Sequence, residues 1–303
     1  MPNEAARPWK MLLPLMSVLA VAALWTIYWF VAIGVAKDRV AEQRVALKAQ
    51  GTALTCTDES WGGFPFRFEF NCSSPILKWQ DKAEARSANL LSVALAYNPW
   101  QTVFLLDGPS TFAGVSPSPV TAHHERIIAS VTLGENYDPS ASIEIPALKM
   151  PGLLTADRII IHTRPENAGK TGIAASVSKL NYQPEGRPPL LIDEGSALGV
   201  LQPDVGLNVD KIELAQGTVR YWGTGTVNLD AERRISGKLS TETNNLDGLL
   251  GILEPHFDMT DQEKAGFRTV LGLLGNEAKA EIVAKDGQLF IGPFKAADLL
   301  PLY

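Results

Sequence analysis

The sequence predicts a β-rich α+β protein with an N-terminal transmembrane helix, a large curved antiparallel sheet built as a meander, and two or three helices packed late in the chain. Three observations support this fold class. A long uncharged run opens the chain, short segments of alternating polarity separated by turn residues fill most of the remainder, and two segments with helical spacing follow position 244.

The uncharged run covers residues 11–36. A helix rises about 1.5 Å per residue, so about 20 residues cross a hydrocarbon core of about 30 Å. A cleaved signal peptide is the alternative, but its apolar core has only about 7–15 residues. We therefore predict a cytoplasmic tail at 1–10, a transmembrane helix at 11–36 and a linker helix at 37–51. Aromatic side chains suited to a membrane interface lie near the end of the run: Trp25, Tyr28, Trp29 and Phe30.

The chain has two cysteines, Cys56 and Cys72. An isolated pair downstream of an anchor fits a disulfide in an oxidising compartment, and two unrelated buried thiols in a cytosolic protein are the alternative. The basic residues that follow the helix favour a cytoplasmic domain by the positive-inside rule, because they outnumber those that precede it. We give the cysteine pair more weight and predict that the domain is exported.

The segment WGGFPFRFEFNC (61–72) has period two, which is typical of a half-buried strand. Alternation places the aromatic row and Cys72 on one face and Arg67 on the other. We interpret the row as either core or an apolar groove for a lipid, since both need the same side chains. The row consists of Phe64, Phe66, Phe68 and Phe70. The turn that enters the strand is predicted to involve Trp61, Gly62, Gly63 and Pro65.

The region from 52 to 303 is predicted to form the β-rich domain, with a weak sub-boundary near 183–204. Residues 205–240 are interpreted as a meander of four strands, with turns near Gln216-Gly217, Gly223–Gly225 and Asp230–Arg233. Other strands are predicted at 76–80, 88–96, 101–106, 126–133, 157–163 and 172–182.

The late segments predict two helices and a hairpin. The first helix covers 245–254, and the second begins at Thr260, where Glu263 completes a capping box. The hairpin turns on Asp286-Gly287, a favoured dipeptide for a two-residue turn. The residues predicted to shape this closing hairpin are Gly287, Gly292 and Pro293.

Charge and motifs exclude several classes of function. The formal net charge is −6 and no basic cluster is present, which disfavours nucleic acid as a partner. Residues 164–171 lack the first glycine of a phosphate-binding loop, and the four histidines lack metal-ligand spacing. We therefore predict no enzyme, no cofactor and no metal site.

The anchor, GGFPFRFEFNC (62–72) and the ending KDGQLFIGPFKAADLLPLY (285–303) resemble the domain of unknown function 2125 family, whose members are anchored in bacterial envelopes. More loosely, the chain is similar to AsmA-like proteins, in which curved sheets with an apolar concave face are implicated in moving lipid. The anchor and the resemblance, with the orientation taken mainly from the cysteine pair, predict a single-pass protein of the bacterial inner membrane with its C-terminal domain in the periplasm. Two hypotheses follow: the domain handles lipid in an apolar groove, or it is a non-enzymatic scaffold that binds another envelope protein.

Overall fold

The computed structural model describes residues 9–80, 82–114, 118–134, 138–203, 205–256, 262, 265–266, 268–269, 278–292 and 294–301. The chain begins with α1 (Trp9–Ala49) and carries α2 (Leu246–Leu253) late. The strands are β1 (Thr52–Thr55), β2 (Asp58–Gly62), β3 (Arg67–Ser73), β4 (Ile76–Trp79), β5 (Ala83–Arg86), β6 (Asn89–Leu95), β7 (Asn98–Asp107), β8 (Ser110–Ala113), β9 (Val120–Ala122), β10 (Ile127–Leu133), β11 (Pro139–Met150), β12 (Leu154–Pro165), β13 (Thr171–Tyr182), β14 (Leu190–Gln202), β15 (Gly206–Gln216), β16 (Val219–Leu229), β17 (Ile235–Thr243), β18 (Ala278–Lys285), β19 (Gln288–Ile291) and β20 (Phe294–Asp298).

Two antiparallel sheets account for these strands. The large sheet has 15 strands in the order β2-β3-β6-β7-β10-β11-β12-β13-β14-β15-β16-β17-β18-β19-β20. Its strands follow chain order because short turns join most of them, as expected of a meander. The sheet is open, with β2 and β20 at its edges. A small sheet, β1-β4-β5-β8-β9, uses segments that leave the meander. The predicted β-rich α+β class is confirmed.

Helix α1 is continuous through the predicted junction between the transmembrane segment and the linker helix. Its 41 residues correspond to about 62 Å of helix, well beyond the thickness of a bilayer. Among the described residues, it is the one helix long and apolar enough to cross a membrane, and an N-terminal signal sequence would satisfy the same criterion.

The predicted four-stranded meander at 205–240 is wrong by one strand. Three long strands, β15, β16 and β17, occupy it, and the predicted turn at Gly223–Gly225 lies inside β16. Its two outer turns are confirmed. In the second, Asp230 Oδ1 accepts hydrogen bonds from the backbone N–H groups of Glu232 and Arg234, at 3.0 and 2.9 Å. The bond from the Arg234 backbone is the main cause that lowers the pKa of Asp230.

The proposed sub-boundary at 183–204 coincides with β14, which pairs with β13 on one side and β15 on the other. The hydrogen-bonded ladder of the large sheet therefore continues through this segment.

The aromatic strand begins later than predicted. Residues 64–66 form a turn, and β3 starts at Arg67, whose N–H donates to the carbonyl of Gly63 at 2.9 Å. Gly63 has a φ of +98°, and a Cβ there would lie 2.5 Å from Arg67 O, so the turn requires glycine. Phe64 and Phe66 consequently lie outside the strand and are exposed. Only Phe68, Phe70 and Cys72 share a strand face.

The late elements agree with the prediction where they are described. The Asn245 side chain caps α2 by accepting from Gly248 N at 2.9 Å. Asp286 and Gly287 both have positive φ, as a type I′ hairpin turn requires, and Gly292 also has positive φ. Pro293 lies outside the described residues. So does most of the second predicted helix, of which residues 262, 265–266 and 268–269 are described and helical.

Candidate functional site

One face of the large sheet forms a continuous uncharged surface. Residues directly opposite each other in antiparallel strands point to the same face, so the pairing register identifies it. The central row of cross-strand partners runs from β2 to β18. It comprises Trp61, Phe70, Ser92, Phe104, Ala129, Ile143, Ile161, Ala175, Ala197, Ile212, Gly223, Thr241 and Ala280.

A neighbouring row on the same face runs from β3 to β19 and is also uncharged. It comprises Phe68, Ala94, Thr102, Val131, Ala141, Thr163, Ile173, Gly199, Val209, Gly225, Leu239, Ile282 and Ile291. We call the surface formed by these two rows the apolar face. With strands about 4.8 Å apart, each row extends for roughly 58 Å across the sheet.

The opposite face has a different composition. Its row beside the central one places Glu144, Ser176, Ser196, Glu213, Glu242 and Lys279 among its members. An antiparallel sheet commonly has one solvated and one buried face. Here the middle of the apolar face is only partly covered, because Ile143 and Ile161 keep 38% and 36% of their surface exposed.

Helix α2 lies over one end of the apolar face and leaves a cleft beside it. The cleft has a volume of about 330 Å³, near the lower end of the roughly 300–1,000 Å³ typical of small-molecule sites. Leu249, Ile252 and Leu253 of α2 form one wall, and the sheet forms the other. The sheet residues that line it include Leu190, Ile192, Leu214, Tyr221, Thr241, Ala280, Ile282, Leu289 and Ile291.

The polar groups in this cleft are few and satisfied. Burial raises the pKa of the Tyr221 phenol, and a hydrogen bond with Thr241 acts in the opposite direction. The phenol is therefore neutral at physiological pH. The Thr241 hydroxyl also donates to the carbonyl of Ala280 at 2.8 Å. Such a lining suits an apolar ligand that makes no demand for charge pairing.

Helix α1 covers the other end of the apolar face. Trp29 is 5% exposed, and its ring centroid lies 5.9 Å from that of Phe68 and 5.3 Å, edge-on, from that of Phe64. Its indole N–H donates to the carbonyl of Arg67 at 2.9 Å. The predicted aromatic belt thus docks partly against the sheet. Among the described residues, it is α1 that packs on Phe68, whereas α2 lies at the other end of the apolar face.

The disulfide lies beside this junction. Cys56 and Cys72 are bonded, and Cys72 is 0% exposed. Nearby, Arg44 of α1 pairs with Glu59 at 2.8 Å, and its guanidinium lies 5.4 Å from the Phe70 ring centroid. The bond joins the segment that follows α1 to β3, so it ties the helix exit to the edge of the large sheet.

We expect loss of this bond to lower stability by about 3 kcal/mol, because the unfolded chain gains the entropy of an open loop. Thermal unfolding of the wild-type protein should shift to lower temperature when reductant is added. The Cys72→Ser variant should show a similar loss without reductant and no further change with it. An unchanged melting temperature of the reduced wild-type protein would contradict a stabilising role.

A polar cluster that the sequence did not reveal joins the two sheets. The Ser110 hydroxyl lies 2.6 Å from that of Ser87 and 2.8 Å from His124 Nε2. His124 Nδ1 lies 2.6 Å from the carbonyl oxygen of Glu125. A serine beside a histidine is the minimal nucleophile and base pair. Ser110 is buried, however, and does not line the cleft beside α2, so we interpret the cluster as structural.

The predicted site residues are divided between the two ends of the fold. Cys56, Cys72, Phe68, Phe70 and Trp61 meet at the α1 junction, whereas Gly287 and Gly292 lie in the late hairpin, near the cleft. The sequence analysis named none of the sheet residues that line the cleft as site residues. Two signals in the sequence could have indicated the cleft. They are the helical spacing of the α2 leucines and the Asp286-Gly287 hairpin, because these segments supply parts of its two walls.

The comparisons with known proteins identify a family. The profile of a bacterial family described as "Uncharacterized protein conserved in bacteria (DUF2125)" matches residues 29–299, from the docked part of α1 to the end of the sheet. Neither a curated protein nor a solved structure matches the chain significantly. The chain belongs to the DUF2125 family of bacterial proteins.

Proposed function

We propose that this protein is a membrane-anchored lipid-binding protein that holds an acyl chain in the cleft between α2 and the apolar face. The observation that carries the proposal is the lining of that cleft, most of which is aliphatic. An apolar chain gains free energy from every part of its surface removed from water. The charged residue among the lining, Glu242, pairs with Lys279 on the opposite face of the sheet, so an acyl chain in the cleft does not have to desolvate its carboxylate.

The position of the cleft supports a lipid more than a free apolar metabolite. The apolar face leads from the cleft to α1, and α1 is compatible with a membrane anchor. A lipid could therefore move from the bilayer to the cleft along a surface without charged side chains. The role is binding and transfer, with no chemical step.

We further propose that α1 holds the protein in the bacterial inner membrane, with the sheet in the periplasm. The Cys56–Cys72 bond supports this location, because disulfides persist in oxidising compartments and are rare in the cytosol. Membership of a bacterial family is consistent with it.

Native mass spectrometry of the full chain, released from a mild detergent, tests lipid binding directly. We expect a species that carries one phospholipid or fatty acid, identified by extraction and fragmentation. A mass free of lipid, with a second protein retained in the complex, would contradict the proposal and support the scaffolding alternative.

Ala280→Trp should reduce the lipid-bound fraction several-fold. Ala280 lines the cleft, so an indole ring at this position fills space that the acyl chain needs. The matched control is Glu281→Trp, one residue along β18 on the opposite, exposed face. Equal lipid occupancy in both variants would place the lipid outside the cleft.

A further inference from the structure

We propose that two turns of the large sheet, residues 63–66 and 96–97, form a tip that inserts into the interface of the bilayer that α1 spans. The inference rests on the proposed anchoring, but it is independent of lipid binding in the cleft. The first observation is that aromatic side chains of α1 donate hydrogen bonds to backbone carbonyls of both turns.

Three side chains of α1 fix the height of the tip along the helix. The indole N–H of Trp25 donates to Pro65 O at 2.8 Å, and the phenol of Tyr28 donates to Ala96 O at 2.7 Å. Trp29 binds Arg67 O, immediately after the first turn. The two turns also bind each other, through Ala96 N–H and Phe66 O at 2.8 Å. The tip is therefore rigidly attached at the level of residues 25–29.

The length of the uncharged run places this level at the membrane surface. If the hydrocarbon core begins at residue 11, about 20 residues bring its far boundary to residue 30. Phe30 is exposed, and its ring stacks on that of Phe64 with centroids 6.0 Å apart. The lipid-facing surface of α1 thus continues directly onto the tip.

The exposed side chains of the tip have the composition of a membrane interface. Phe66 is 62% exposed and Tyr97 is 68% exposed, and Trp100 follows in the adjoining strand. Aromatic residues concentrate at the level of the lipid headgroups. The first charged residue after the run, Lys37, lies 6.0 Å from the ring centroid of Trp61, on the side of the tip away from the hydrocarbon core.

Insertion of the tip would bring one end of the apolar face to the bilayer. Phe68 and Ala94 begin the second row of that face, and Phe68 lies two residues after the first turn while Ala94 lies two residues before the second. A lipid leaving the bilayer beside α1 would then meet the sheet without crossing a charged rim.

The depth of single labels in reconstituted full-length protein tests this placement. Both native cysteines are bonded, so an added cysteine takes a thiol-reactive fluorophore alone. Phe66→Cys and Tyr97→Cys report on the tip, and Val18→Cys reports on the span. Leu77→Cys is the water-facing control. It lies in β4, which pairs with β1, and β1 packs beside the C-terminal end of α1. That end of the helix, Ala49, lies about 28 Å along the helix from Phe30.

In vesicles of phosphatidylcholine and phosphatidylglycerol, we expect lipids doxyl-labelled near the headgroup to quench the label at 66 and 97 several-fold more than at 77. Lipids doxyl-labelled deep in the acyl chain should quench the label at 18, which lies near the middle of the span. Such quenching at 18 without headgroup-level quenching at 66 and 97 would overturn the tip while leaving the anchor in place. No quenching at 18 by the deep label would overturn both. Equal quenching at 66, 97 and 77 would overturn the tip as well, since the domain would then lie flat on the surface.

Discussion

Replacing Trp29 by alanine should destabilise the protein by about 3–5 kcal/mol, the usual cost of truncating a buried tryptophan. Trp29 is the centre of the α1 junction, where it packs on Phe68 and Phe64 and donates to Arg67 O. Its removal leaves a cavity between helix and sheet and an unpaired carbonyl. The measurement is the free energy of equilibrium unfolding of the full chain in a non-denaturing detergent, followed by the circular dichroism of the strands.

Two further variants serve as controls: one truncates an exposed side chain of α1, and the other removes the hydrogen bond of Trp29 while keeping an aromatic ring. Ile27→Ala truncates a side chain on the opposite, exposed side of α1, 61% exposed, and should change the free energy of unfolding by less than about 0.5 kcal/mol. Trp29→Phe retains most of the ring contacts and should lose about 1 kcal/mol for the hydrogen bond. If Trp29→Ala were as stable as Ile27→Ala, α1 would be a tether without a structural junction.

The contrast between Trp29 and Ile27 also explains what the sequence could reveal about α1. Absence of charge over residues 11–36 predicts a span, because the bilayer excludes charged groups from every side of a helix. The absence of charge does not indicate which side of α1 packs against protein, because tryptophan is common both at a membrane interface and in a buried junction. Only the tertiary contact with Phe68 distinguishes them.

The aromatic segment failed in prediction for a related reason. Phe64 and Phe66 have the same spacing as Phe68 and Phe70, and period two alone places all of them on one strand. The turn after Gly63 continues to residue 66, and the strand begins only at Arg67. Phe64 and Phe66 therefore do not lie on the face that Phe68 and Phe70 share. The cleft beside α2 was not predicted from the sequence, because its lining comes from residues as far apart in the chain as Leu190 of β14 and Ile291 of β19.

Two glycines inside β16, Gly223 and Gly225, explain why a turn was predicted where the structure has a continuous strand. Glycine weakens the interior of a strand, so the sequence predicts a turn at GTG, residues 223–225. In the structure Gly225 has a φ of +153° and pairs with Leu239 of β17. A Cβ at Gly225 would overlap the carbonyl oxygen of Lys238 and lie 2.9 Å from Leu239 Cα. The glycine thus permits a close approach of two paired backbones within a long strand.

Gly225→Ala should therefore destabilise the protein by about 3–5 kcal/mol, because the new methyl group must displace the backbone of β17 and the residue must keep an unfavourable φ. The matched control is Gly223→Ala, two residues earlier on the same face, where the nearest atom to a Cβ is Thr241 Cγ2 at 3.6 Å. That variant should lie within about 0.5 kcal/mol of the wild type. Equilibrium unfolding of both proteins measures the difference. Equal stability of the two variants would mean that β16 and β17 do not approach each other at Gly225, and that this part of the apolar face is built differently.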